Sequence, residues 1–304
     1  MSVKKQDLSK GIYQSLSVDA LKLPDNKFYY RSKDKKSIGF NIDVSHEVSE
    51  FFVKTFNLKN PDNFRDKFKQ SISGDGGELL KNNALHSSSL CALLMFYNVS
   101  EETPFYVVFP DETKHKYTNV YFEVKNKVIK NPSNMDVVLT NDHEILFIEC
   151  KFSEYLSTAK TNLGKGYLEN PKYKEIFEKI EYDKATVFQY GIKQLVSHYI
   201  GIKNFQLCNY TKRNIVGFYG EHAHGRDELY NKQYKNVAFM EVIFELPVQQ
   251  YGEYLKETEK VFNYLIKTDN SITFLGTTTY KELFQGKNRC ILSDLVASYY
   301  NIDK

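Results

Sequence analysis

The residues best placed to do chemistry lie within NPSNMDVVLTNDHEILFIECKF, positions 131–152. Asp142 and His143 fall between two apolar runs, where a tight turn belongs. With them at the tip of an antiparallel hairpin, positions summing to 285 face each other, so Asp136 meets Glu149 with Cβ atoms roughly 5 Å apart. Lys151, two residues beyond Glu149, points from the same face, while Cys150 points to the other with Leu146, Ile148 and Phe152. Residues 145–148 (ILFI) are apolar on both faces and mark a buried strand, so Glu149 and Lys151 place charges at the end of it. Two neighbouring carboxylates repel and call for a cation. A divalent metal with hard oxygen ligands, Mg²⁺ above all, meets that need, and a lysine beside it can hold a water or steady charge developing on a phosphate. The chemistry that suits such a cluster is metal-assisted phosphodiester hydrolysis. A plain cross-strand ion pair is the alternative.

An acid two residues before a lysine is common in a chain this charged. Asp34/Lys36, Glu112/Lys114 and Glu123/Lys125 repeat the spacing. The last lies on a strand in which Val120, Phe122 and Val124 alternate with Tyr121, Glu123 and Lys125, the pattern of a half-exposed strand with a solvated face. Position therefore favours Glu149/Lys151.

The elements that must carry this cluster follow from periodicity. Residues 1–70 are polar and Lys-rich and read as an N-terminal extension with short elements. After the chain-breaking Gly74–Glu78, a helix is expected from Glu78 to Tyr97, ending in the apolar LCALLMFY. Strands are expected over 105–109, 120–124, 135–139 and 145–152, followed by a polar, Tyr/Lys-rich helical or looped insertion over 153–182. Asp183 is placed to cap a helix running to Ile200 and closed by Gly201, with an apolar stripe of Phe188, Ile192, Leu195, Val196 and Tyr199. Tyr190, Gln194 and His198 share another face of it by i, i+4 spacing. That face suits the cleft for Gln194, and for His198 a solvated position is the simpler expectation. Strands over 215–219 and 237–246, then helices and a short strand over 272–275, complete a mixed α/β (α+β) chain.

Composition bounds the rest. With 45 of 304 residues Tyr or Phe, the chain can bury a large core, which excludes disorder as its main state. A net charge of +3, from 41 basic and 38 acidic residues, excludes a basic coat, so a nucleic-acid binder would have to gather positive charge in a cleft. Cys91, Cys150, Cys208 and Cys290 form no CxxC pair, which speaks against structural zinc and fits a reducing cytoplasm. The N-terminus has no apolar run of a signal peptide, and the longest apolar run, 90–97, is too short for a membrane span. His222, His224, Asp227 and Glu228 lack further matching ligands and read as a polar loop, and residues 162–166 lack the first Gly and the Ser/Thr of a P-loop.

Asp136 thirteen positions ahead of Glu149-Cys150-Lys151 resembles the PD-(D/E)xK nuclease superfamily, which includes many restriction endonucleases. Asn134-Met135-Asp136 stands where the pattern has Pro-Asp. HSSSLCALLMFYNV (86–99), NPSNMDVVL (131–139), FIECKFSEYLS (147–157) and QLVSHYIGI (194–202) are similar, in that order, to a restriction-endonuclease-like branch. The resemblance implies a nuclease core over 71–250, an N-terminal extension over 1–70 and a helical C-terminal part, 251–304, packed on the core. It implies Asp136, Glu149 and the carbonyl of Cys150 as ligands of Mg²⁺, with Mn²⁺ as a substitute, and Lys151 as the group that orients the attacking water. Glu78, on the first helix, stands where many members carry an extra acid, and Gln194 where several carry a glutamine; a helix-stabilising role is as good an account of Glu78. Glu154 is a lesser candidate. The implied activity is Mg²⁺-dependent cleavage of double-stranded DNA, of the type II restriction kind, by a cytoplasmic protein that a palindromic target would make a homodimer. A repair or recombination nuclease acting on ends or branches, and a silent DNA-binding module with a nuclease fold, are the alternatives.

Overall fold

A computed structural model describes residues 29–31, 38–40, 45–72, 87–129, 132–153, 160–182, 186–207 and 226–302. A short hairpin, β1 (Tyr29–Arg31) and β2 (Ile38–Phe40), precedes helices α1 (Ser45–Thr55), α2 (Pro61–Ser71) and α3 (Ser88–Phe96). A second hairpin follows, β3 (Phe105–Val108) and β4 (Lys114–Tyr117), and then the meander β5 (Asn119–Lys127), β6 (Pro132–Thr140) and β7 (Glu144–Lys151). The short helices α4 (Lys165–Glu169) and α5 (Pro171–Lys179) fill the polar insertion, and the long α6 (Gln189–Leu207) comes next. After α7 (Asp227–Asn231), β8 (Asn236–Ile243) joins β7 in parallel, α8 (Gln249–Thr268) crosses over, and β9 (Thr273–Thr279) joins β8 in parallel. Two further helices, α9 (Tyr280–Leu283) and α10 (Asp294–Tyr299), end the described chain.

The central sheet, in the order β5-β6-β7-β8-β9, is mixed and flanked by helices, as the sequence predicts. One face carries Val137, Leu139, Leu146, Ile148, Cys150, Met240 and Val242 and packs on α3, on the phenylalanines of α1 and α2, and on Tyr299 of α10. The other carries Val138, Ile145, Phe147, Phe239 and Phe274 and packs on α6 and α8 through Ile192, Leu195, Tyr199, Phe262 and Leu265. Helices from both ends of the chain thus share the core of the meander, and β9 is part of the sheet itself. Leu90–Phe96 of α3 is buried all round, which explains an apolar run without amphipathic spacing. Among the described residues no helix is long and apolar enough to cross a membrane.

The β6–β7 register is set at its turn. Asn141 Oδ1 accepts the backbone N–H of both His143 and Glu144, at 2.8 Å each, and its Nδ2 donates to the Lys116 carbonyl at 2.7 Å. The rungs from Thr140↔Ile145 to Val137↔Ile148 follow, each pair summing to 285. Asp136 and Glu149 stand one step beyond the last rung.

Two expectations change. The described part of the first helix starts at Ser88, capped by Ser87, whose side chain accepts from the Leu90 N–H; positions 73–86 lie outside the described residues, as do Asp183 and the strand expected over 215–219. The long helix also does not stop at Gly201. It continues to Leu207, and Gly201 lies where α6 crosses the sheet: a Cβ there would stand 2.7 Å from Ser133 Oγ and 2.9 Å from Asn126 Cβ. The missing side chain allows the helix to approach β5 and β6, a need that helix-end statistics cannot reveal. Gly201→Ala is expected to lower stability by about 1–2 kcal/mol in urea denaturation, because overpacking outweighs the helix propensity gained. A variant more stable than the wild type would show that the contact is not tight.

Candidate active site

A cavity of about 970 Å³ opens where β5, β6 and β7 meet α4 and α6, and Asp136, Glu149, Cys150, Lys151 and Gln194 all line it. The sheet brings the acids into one transverse row. On β5 and β6 the rungs Phe122↔Val137 and Val124↔Met135 leave Glu123 and Asp136 between them. Glu149 stands across from Asp136 on β7, the rung Glu149↔Glu241 carries the row to β8, and Glu241↔Thr277 carries it to β9.

Glu149 is fully buried. The Lys151 ammonium donates to its Oε1, and His198 Nε2 stands 2.8 Å from its Oε2. Burial pushes the carboxyl pKa up, but His198 and Lys151 outweigh it and bring it down to about 2. Lys151 is also buried and donates to Gln194 Oε1 at 2.7 Å. Asp136 lies in the opposite situation. Its Oδ2 accepts the Cys150 N–H at 2.8 Å, but burial, then Glu149, then Glu123 raise its pKa well above the aspartate range, against the pull of Lys151.

Two residues differ from expectation. Glu123 is not on a solvated face: it is 6% exposed, lines the cavity and acts electrostatically on Asp136. Its φ of 51° is left-handed, a conformation that costs a non-glycine residue about 1–2 kcal/mol. It interrupts the ladder opposite Asp136, so the alternation on which the expectation rested breaks at this residue. His198 is not solvated either: it is buried and stands against Glu149, one turn beyond Gln194 on the same face of α6. Tyr190, on that face too, is half exposed at the cavity rim. The remaining Glu241 is buried without lining the cavity, its Oε1 accepting from Tyr254 OH at 2.7 Å and its Oε2 from Thr277 Oγ1 at 3.1 Å. Burial raises its pKa to about 7. Its signal in the sequence is a lone acid inside the apolar run VAFMEVIF, the same signal that marks Glu149.

Other candidates separate. Lys165 and Tyr167 of the insertion line the cavity, and Lys193 Nζ sits 5.7 Å from the Tyr167 ring centre. Glu78, Glu154, His222 and His224 lie outside the described residues, and Glu228 is exposed. Cys91, Cys150 and Cys290 are free thiols.

The donors present suit a hard cation: carboxylates of Asp136 and Glu149 on neighbouring strands, and a third acid, Glu123, whose repulsion a cation would relieve. Among the described residues no group of three His, Cys, Asp or Glu side chains stands ready to hold a metal. Glu149 in particular is turned onto Lys151 and His198 and would have to share an oxygen.

A family model described as Restriction Endonuclease associating with ARP matches residues 19–256, most of the chain. No curated protein and no solved structure matches it.

The raised pKa of Asp136 has a consequence for stability. Between its ordinary pKa and its raised one the folded protein holds a proton that the unfolded chain has released, so this group weakens the metal-free fold as pH rises above about 4. Asp136→Asn keeps an acceptor for Cys150 N–H and loses the charge. It is therefore expected to melt above the wild type at pH 7, with the difference shrinking toward pH 4. A lower melting temperature at pH 7 would contradict the repulsion inferred at this acid.

Proposed function

The chain belongs to the family of restriction endonucleases described as associating with ARP, and from that premise we propose that it is a Mg²⁺-dependent endodeoxyribonuclease of the PD-(D/E)xK type acting on double-stranded DNA. One observation carries the assignment: the β6–β7 register sets Asp136 beside Glu149 and Lys151 at the wall of a single large cavity, with Gln194 bonded to the lysine. A passive strand pair has no use for three carboxylates and a buried ammonium at one place.

Asp136, Glu149 and the Cys150 carbonyl would hold Mg²⁺, or Mn²⁺ in its place. The ion, when bound, supplies the charge that activates a water and offsets the charge gathering on the phosphate. Lys151, kept pointing into the cavity by Gln194, donates a hydrogen bond to the attacking water or to a non-bridging phosphate oxygen. Attack in line with the 3′ oxygen breaks the bond to that oxygen, which leaves as a 3′-hydroxyl after gaining a proton, and the phosphate stays on the 5′ side. Glu78 is proposed as an additional acid of the active site. Residues 71–250 form the catalytic core in this proposal; 1–70 and 251–304 brace it, which the shared packing of α1, α2 and α10 supports. On the ground of the family's description, association with ARP is proposed for this chain too, and a two-fold target would call for a homodimer.

Supercoiled plasmid and linear DNA, each incubated with Mg²⁺, Mn²⁺ or EDTA, provide the test. Discrete fragments that need the metal are expected, and Lys151→Ala should cut at least about a hundredfold more slowly with its fold intact. A ladder from the ends would indicate an exonuclease instead. DNA binding without cleavage in either metal would indicate a binding module, and a folded Lys151→Ala that cuts normally would refute the assignment of roles.

A further inference from the structure

We infer that Lys165 and Lys193 are the DNA-backbone contacts of the cavity, holding phosphates beside the one that is cleaved. Lys165 stands on a segment of the insertion that is fastened to the cavity wall, and Lys193 is one of the groups that fasten it. The inference deepens the nuclease reading above and rests on it.

Charge selects these two residues. DNA brings a line of negative charge to a cavity lined by Glu123, Asp136 and Glu149. A chain with a net charge of +3 has no general excess of cations to offset them, so positive charge must be gathered at the cavity itself. Four described residues that line it can supply that charge: Lys151, His198, Lys165 and Lys193. The first two face Glu149. Lys165 and Lys193 are in no ion pair among the described residues. Lys165 is exposed. Lys193 Nζ donates to the Asn162 carbonyl at 3.0 Å and lies over the Tyr167 ring, which leaves an ammonium with donors to spare and its charge uncancelled by an acid.

The segment that carries Lys165 is fixed on both sides. Gly166 of α4 packs on Ile129, just past β5, so closely that a Cβ would stand 2.6 Å from Ile129 Cγ2. Tyr167 OH is 2.9 Å from Ser197 Oγ of α6, and the Tyr167 ring meets Phe177 of α5 edge-on at 5.8 Å between centres. Lys193 ties down Asn162, three residues before Lys165. A cation on so fixed a base loses less freedom on binding than one on a free loop. Lys193 also directly precedes Gln194, the partner of Lys151, which places its contact next to the site of cleavage.

Binding of a labelled DNA duplex in EDTA, followed by fluorescence anisotropy over a range of salt concentrations, tests this without cleavage. Lys165→Ala is expected to raise Kd about fivefold near 0.15 M salt and to reduce the slope of log Kd against log salt by about 0.9, the signature of one lost phosphate contact. Lys193→Met, which keeps an apolar stem beside Tyr167, should do the same. Lys165→Arg should bring both quantities back to near wild type, and Lys260→Ala, an exposed position on α8 that does not line the cavity, should alter neither. With Mg²⁺ the two lysine variants should show a raised KM and a kcat within about twofold of wild type. Should Lys193→Met fail to fold, Lys165→Glu takes its place, with a larger rise in Kd than Lys165→Ala. Wild-type affinity and salt slope in the folded variants of a protein that does cleave DNA would overturn the inference and leave the nuclease assignment standing. Binding that depends on both lysines in a protein that cuts nothing would uphold the contacts and remove the assignment. A wild-type protein that neither binds nor cuts duplex DNA would remove both.

Discussion

The register of β6 on β7 is the constraint on which the site depends. Side chains along a strand alternate with a period of two, so a slip of one residue would send Asp136 to the face of α3 and bury its carboxylate among phenylalanines. The Asn141 side chain opposes such a slip. It folds back on the two N–H groups that follow it and ties the turn to β4 through the Lys116 carbonyl. From that anchor, rung by rung, the hairpin delivers one acid against another. Everything else around the cavity accommodates this placement: α6 brings Gln194 and His198 over it, and β8 places a further acid behind it.

The resulting charges are unevenly satisfied. Glu149 lies between an ammonium and an imidazole and is held ionised, while Asp136, a strand away, is pushed toward its neutral form by burial and then by the acids on either side. The left-handed backbone at Glu123 adds strain at the same spot. Folding alone would favour none of this. Repulsion and strain gather at one end of a well-packed sheet, and the apolar remainder of both faces compensates for them.

What could be read beforehand follows the reach of each interaction along the chain. Asp136, Glu149 and Lys151 were legible because a hairpin is local: a turn and a count of residues suffice. Gln194 was legible through helical spacing, since one face of α6 carries the apolar stripe and the next carries polar groups. His198 shares that second face, but periodicity cannot tell a polar residue facing water from one facing a buried acid. Glu123 escaped because alternation assumes an unbroken ladder. The place of Glu241 escaped because its rung with Glu149 joins strands far apart in the chain. Gly201 looked like a helix end, as glycine usually does, when its reason was the closeness of a sheet that only the tertiary structure supplies.

The sheet joins two kinds of connection, which differ in the chain entropy that their closure costs. The meander from β5 to β7 closes over short turns, so Asp136 and Glu149 meet at a small cost in loop entropy. His198 comes from α6, and β8 and β9 pair in parallel only across long crossovers. The two acids are therefore joined by a short loop, while most of the groups that compensate them are tied to them through long ones. The chain entropy given up in closing the sheet therefore falls mostly on its parallel half, where Thr277 and Tyr254 close around Glu241.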